Sequence, residues 1–152
     1  MGNSYVLNDI VNGAQKLSEN LIIHYVDLKT TGSEDRACQK IFESPKFLKW
    51  KKSKAELLLV LDSLDECMAH TPTIAAALAD ELENYPLKHV NLRIGCRAAE
   101  WPETLEEKLP ELWGKDNYGV YELVPLRRKD VELAANKWDV NPGAFIREIK
   151  GK

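Results

Sequence analysis

The sequence predicts an α/β fold, a parallel sheet whose strands are joined by crossover helices. Three observations lead there. Short runs rich in β-branched and aromatic residues alternate along the chain with segments whose apolar residues recur every three or four positions. One run, Leu57, Leu58, Leu59, Val60 and Leu61, is apolar without interruption and bracketed by charge, as a parallel strand buried on both faces must be. Turn residues, notably Thr30, Thr31, Gly32 and Ser33, then Ser44 and Pro45, fall between the segments.

In order, Val6, Leu7, Ile10, Val11, Ala14 and Leu17 give one buried helix face over 5–17. The run 21–28, with Ile22, Ile23, Tyr25 and Val26, reads as the first strand. A short helix over 35–42 carries Ala37, Cys38, Ile41 and Phe42 inward and stops before Pro45, because the residue preceding proline avoids helical backbone. In 45–54, Lys46, Lys49, Lys51, Lys52 and Lys54 surround Phe47 and Trp50. Lysines can pair phosphates while an aromatic stacks on a base, but a charge run is more often a solvated connector with its aromatics packed inward, and that is the expectation here.

The second strand, 57–61, should lie mid-sheet. Thr71 and Pro72 then open a helix, hydroxyl at the cap and proline in the first turn, with Ile74, Leu78, Leu82 and Tyr85 inward. Val90, Leu92, Ile94 and Cys96 mark a third strand. A helix from Pro102 buries Leu105, Leu109, Leu112 and Trp113 and should bend or split at Pro110. A fourth strand is expected over 118–124, followed by helices with Val131, Ala134, Ala135 and Trp138, then Phe145, Ile146 and Ile149, as their buried positions. The domain reading is an α/β core over 1–126 and the beginning of a helical region over 127–152.

Composition narrows the function classes. The chain has 152 residues, 44% apolar and 30% charged, as an ordinary globular domain does. With 21 basic and 24 acidic side chains its formal charge is -3, so nothing global draws it to nucleic acid or anionic lipid and any such contact would have to be local. The longest apolar run falls far short of a membrane span and no signal pattern opens the chain, so a cytoplasmic location without a membrane partner is expected, with nucleic acid disfavoured. Cys38, Cys67 and Cys96 are odd in number and widely spaced, which suggests reduced thiols.

Ligands of an open parallel sheet bind beyond the carboxyl ends of its strands. There the central strand delivers Asp62, Ser63, Leu64, Asp65 and Glu66. Carboxylates gathered at one strand tip suit a hard cation such as magnesium, and a second carboxylate can orient or deprotonate an attacking water. Acids at that place also serve simply as the first turn of a helix, and both readings stand.

The run 57–66 resembles the Walker B segment of NACHT-type NTPases, in the wider STAND class of signalling ATPases. A small residue follows the metal-binding aspartate in that family, and Ser63 fits. The resemblance implies Asp62 as the magnesium-side acid and Asp65 and Glu66 as candidates for handling the water. Residues 91–97 resemble the family's sensor-1 strand, which implies Arg97 reaching toward the γ-phosphate; without that role Arg97 would pair at the surface with Glu100 or Glu103. Residues 121–130 resemble the family's fifth strand running into its helical appendage. The implied fold is a P-loop NTPase-like parallel sheet, with magnesium and ATP as cofactors of an intact parent.

One departure weighs against the matches. The family needs a strand followed by G-x-x-x-x-G-K-[ST], whose amides and lysine cradle the phosphates, and no such loop occurs. Met1, Gly2, Asn3 and Ser4 look like its tail, with Asn3 in place of the lysine and Ser4 as the nucleotide-side residue, or else like a start methionine and a polar helix cap. The expectation is thus a fold truncated at its N-terminus: a fragment or degenerate copy of an ATP-hydrolysing signalling or defence switch, unable to hold ATP tightly alone, with the remainder of a larger protein or a second copy as partner. The alternative is a non-hydrolytic interaction module on the same fold. A magnesium-dependent nuclease or phosphatase lacks further metal-spaced acids, and no serine or cysteine nucleophile motif is present. In the family's strand order the missing strand would lie between 91–96 and 120–124, so the last strand should either move beside 91–96 or stay undocked.

Overall fold

A computed structural model describes residues 2–16, 20–123, 127, 129, 130, 132, 133 and 143. The chain divides into two compact units, 1–121 and 122–152. In the first, three parallel strands, β1 (Leu21–Asp27), β2 (Glu56–Asp62) and β3 (Val90–Ile94), lie in the order β1-β2-β3. Leu21 pairs with Glu56 and Asp27 with Asp62 on one side of β2; Leu57 pairs with Val90 and Leu61 with Ile94 on the other. Among the described residues only β2 has a strand on either side, which is why its stretch 57–61 is apolar without interruption.

The helices are α1 (Gly2–Ala14), α2 (Glu34–Phe42), α3 (Pro45–Lys51), α4 (Leu64–Met68), α5 (Ile74–Leu82) and α6 (Glu103–Trp113). Alternation along β2 sends Leu57, Leu59 and Leu61 into a large core with α2, α3, α5 and α6, and Leu58 and Val60 into a small one where Leu7 of α1 meets Ile23 and Tyr25. The large core ends in a cluster of rings: Phe47 lies 5.3 Å from Phe42, 5.1 Å from Trp50 and 4.9 Å from Tyr85 between centroids.

Five expectations need correction. Val6 and Ile10, expected on the buried face of the first helix, are exposed in α1. Residues 45–51 form a helix where a connector was expected: Ser44 accepts a hydrogen bond from the Phe47 amide and Pro45 sits in the first turn, a capping signal that the lysine run obscures. Thr71 caps nothing; α5 starts after Thr73, and the buried Thr71 hydroxyl has no hydrogen-bond partner among the described residues. α6 runs unbroken through Pro110, which lies in its last turn. The fourth strand is absent over 118–123, and Val124 lies outside the described residues, as do most of the helical positions after it.

That last difference has a physical cause. Strand propensity needs a ladder partner, and the far side of β3 offers a poor one. The Gly95 amide donates to Leu61 of β2 and its carbonyl accepts from Leu64 at the start of α4, on the same side, so alternate residues of β3 turn theirs outward. The outward carbonyl of Val90 accepts from the Trp113 indole at 2.9 Å, and that of Leu92 from the Arg93 guanidinium at 2.8 Å. Side chains occupy acceptors that a further strand would use. Tyr121, 90% exposed, is correspondingly in solvent.

A buried histidine ties β1 to this scaffold. His24 Nε2 lies 2.9 Å from the Ile41 carbonyl and 2.9 Å from Ser44 Oγ, and because a carbonyl only accepts, that nitrogen carries the proton. Burial holds the His24 pKa below its ordinary 6.5 despite the hydrogen bonds. A base with a depressed folded pKa binds fewer protons folded than unfolded near that value, so its contribution is intact above 6.5 and is lost as pH falls through the lowered value. Urea midpoints should therefore drop more between pH 7.5 and 5 in the native chain than in His24→Gln. Equal pH slopes would remove His24 from the account.

Candidate active site

The strand-to-helix turn after β2 is forced into an uncommon shape. Ser63 has φ 62° and ψ 39°, the left-handed region that non-glycine residues seldom occupy, and β2 passes through it directly into α4. The turn places Asp65 and Glu66 in the first turn of α4, beside the end of β2. Asp62, 3% exposed, is the last residue of β2. Its Oδ2 accepts from the Tyr25 hydroxyl at 2.6 Å and its Oδ1 from the Ser63 amide at 2.8 Å. Burial first, then the bond to Asp62, pushes the Tyr25 phenol well above its ordinary value, so it remains a donor.

Gly95 closes the site from β3. A Cβ there would stand 2.7 Å from Leu7 Cδ1 and 2.8 Å from Asp62 Oδ1, so only glycine lets the two strand ends and α1 approach this closely. Two ion pairs flank the turn. Arg97 Nε donates to Asp65 Oδ2 at 2.5 Å, and Lys29 Nζ lies 3.1 Å from Glu66 Oε2. Asp65 is nearly buried while the Arg97 side chain is 68% exposed. The bond to Asp65 raises the guanidinium pKa further, so Arg97 is a permanent cation. Burial, then the charge of Asp65, pushes the neighbouring Cys96 thiol up to about 11, which makes it a poor nucleophile.

All five residues singled out in the sequence, Ser4, Asp62, Asp65, Glu66 and Arg97, line one cleft of about 380 Å³ with Ser63 and Gly95. It lies at the carboxyl end of the sheet. Arg97 is paired with Asp65 and not with Glu100 or Glu103, because the turn after β3 lays it across α4. A larger open hollow of about 580 Å³ runs along α6, lined by Glu106, Glu107, Pro110, Glu111 and Lys115. It holds none of the five, and its charged helix surface presents no buried, oriented polar group, so the smaller cleft is the candidate site.

Sequence reasoning missed Tyr25, Gly95 and Lys29. A glycine just past a strand is a signal of close backbone approach and could have pointed to Gly95. Tyr25 and Lys29 carry no such mark, since their roles depend on how β1 registers against β2. Among the described residues no three His, Cys, Asp or Glu side chains converge as a metal cage. The donor set fits a cation that takes one carboxylate and completes its shell with water and ligand oxygens, as magnesium does: Asp62 lines the cleft, and Tyr25 and the Ser63 amide orient it. Comparison with family models, with curated proteins and with solved structures finds no match to this chain.

Proposed function

We propose that the chain carries the magnesium-side and water-side residues of an ATP-binding switch domain of the NACHT type and by itself binds Mg-ATP weakly. The observation that carries this reading is the convergence of Ser4, Asp62, Asp65, Glu66 and Arg97 on one cleft beyond the carboxyl end of a parallel sheet. The strand order β1-β2-β3 supports it, since it puts the strand that carries the Walker B resemblance mid-sheet, as expected. In this reading Asp62 holds magnesium, which would screen phosphate charge when bound. Glu66 or Asp65 orients water, and Arg97 faces the terminal phosphate. No glycine-rich cradle is present in the sequence to neutralise the phosphates, which makes the affinity poor.

Amide NMR during a Mg-ATP titration tests this. Shifts should be confined to Ser4, Ser63, Gly95, Arg97 and their neighbours, saturating at a dissociation constant of about 1 mM, or ~4 kcal/mol. Asp62→Ala should remove the difference between ATP with and without magnesium. Micromolar binding would overturn the weak-binding claim, and shifts elsewhere, or none, would overturn the nucleotide reading. One observation favours the other reading, a non-hydrolytic module: both water-side candidates are held in ion pairs, Asp65 with Arg97 and Glu66 with Lys29.

A further inference from the structure

The lysine run finds no use in the cleft. α3 leads into the start of β2, so 46–54 lies toward the amino ends of the strands, opposite the candidate site. Phe47 and Trp50 are buried, while Lys46, Lys49, Lys51, Lys52 and Lys54 are all exposed. Lys51 Nζ stands 5.2 Å over the Tyr85 ring; among the described residues none of the five forms an ion pair. Glu56, the acid that follows the run, is engaged by His89 at 2.8 Å. An acidic chain thus concentrates unneutralised positive charge in nine consecutive positions.

Helical periodicity sorts these side chains. Leu48, Lys49 and Lys52 point away from Phe47 and Trp50, and Lys46 and Lys51 flank the buried stripe on either side. Leu48, 41% exposed, is therefore an uncovered apolar residue on the face it shares with Lys49 and Lys52. We propose that α3 and the turn after it form a peripheral docking surface for an anionic lipid bilayer. Leucine entering the headgroup boundary while lysine stems lie along it and their charges meet lipid phosphates is how such surfaces bind. Nucleic acid fits less well. The aromatics that would stack on bases are turned into the core, and the run has no arginine for bidentate base contacts. Among the described residues no helix is long and apolar enough to cross a membrane, so the contact is superficial and leaves the cleft open at the other end.

Co-sedimentation of the full chain with phosphatidylcholine vesicles, with and without phosphatidylserine, tests the proposal independently of nucleotide. Binding should require phosphatidylserine and disappear at high salt. Removing a lysine charge should weaken it about fivefold, so Lys49→Glu with Lys52→Glu should weaken it about 30-fold or more. Leu48→Ala, which keeps every charge, should weaken it several-fold. Lys115→Glu, in an exposed turn after α6, should leave it unchanged. All these positions are exposed and the variants should melt as the native chain does. No binding to phosphatidylserine vesicles at low salt overturns the proposal. So does equal loss in Lys115→Glu and the double variant, or binding to duplex DNA with none to vesicles.

Discussion

Phe47→Ala should cost about 3–5 kcal/mol of folding stability, the largest effect expected from a single substitution here. Phe47 is 1% exposed and touches three other rings, with edge-on contacts to Phe42 and Tyr85 that add to its buried area. Its neighbours are fixed from outside the cluster: the Trp50 indole donates to the Ala55 carbonyl at 3.0 Å, and Phe42 is anchored in α2. They have little freedom to collapse into the space left, and a cavity that stays open is what makes such truncations expensive. Against a typical domain stability of about 5–15 kcal/mol, the variant would be marginal. Leu48→Ala, one residue along the same helix but facing water, should change stability by no more than about 0.5 kcal/mol. Urea unfolding of both decides the matter: a loss below about 1 kcal/mol for Phe47→Ala, or parity between the two, would mean that the rings are not a cohesive core.

Gly95→Val is the second large effect, expected at about 1–3 kcal/mol from overpacking. The cause is space and not backbone conformation. Leu7 can swing the end of its side chain away, but the Asp62 carboxylate is held on one oxygen by Tyr25 and on the other by the Ser63 amide. A valine must break one of those bonds or push β3 from β2. Combining Gly95→Val with Leu7→Ala separates the two contacts. If Asp62 is the rigid wall, the pair remains destabilised by nearly the sum of the single costs; full recovery in the double variant would assign the crowding to Leu7 alone.

What the sequence made legible was decided by how local each signal is. The central strand declared itself because five unbroken apolar residues have few other uses, and β1 and β3 followed from β-branched runs of the right length. The acids after β2 were legible as a group for the same reason, since they are adjacent in the chain. Their partners were not. Tyr25 reaches Asp62 only because β1 registers Asp27 against Asp62, and Arg97 reaches Asp65 only because the chain after β3 folds across α4. The 118–123 segment misled for the converse reason: its β-branched and aromatic residues state a local preference that the side chains on the β3 edge leave without a partner. α3 was hidden because five lysines read as solvent whether or not the backbone beneath them is helical.

The order in which the elements join has a consequence for synthesis. Each strand of the sheet pairs with its successor in the chain, and the crossover helices pack on the sheet between them, so this layer can assemble progressively as the polypeptide leaves the ribosome. α1 is the exception. It precedes β1 in the chain, yet the buried residues that receive Leu7 are Leu58 and Val60 of the middle strand. Until that strand has been made and paired, the apolar stripe of α1 has only Leu21, Ile23 and Tyr25 of β1 to lie against, and a nascent chain halted before residue 56 would leave that stripe partly uncovered to whatever chaperone surveys the exit tunnel.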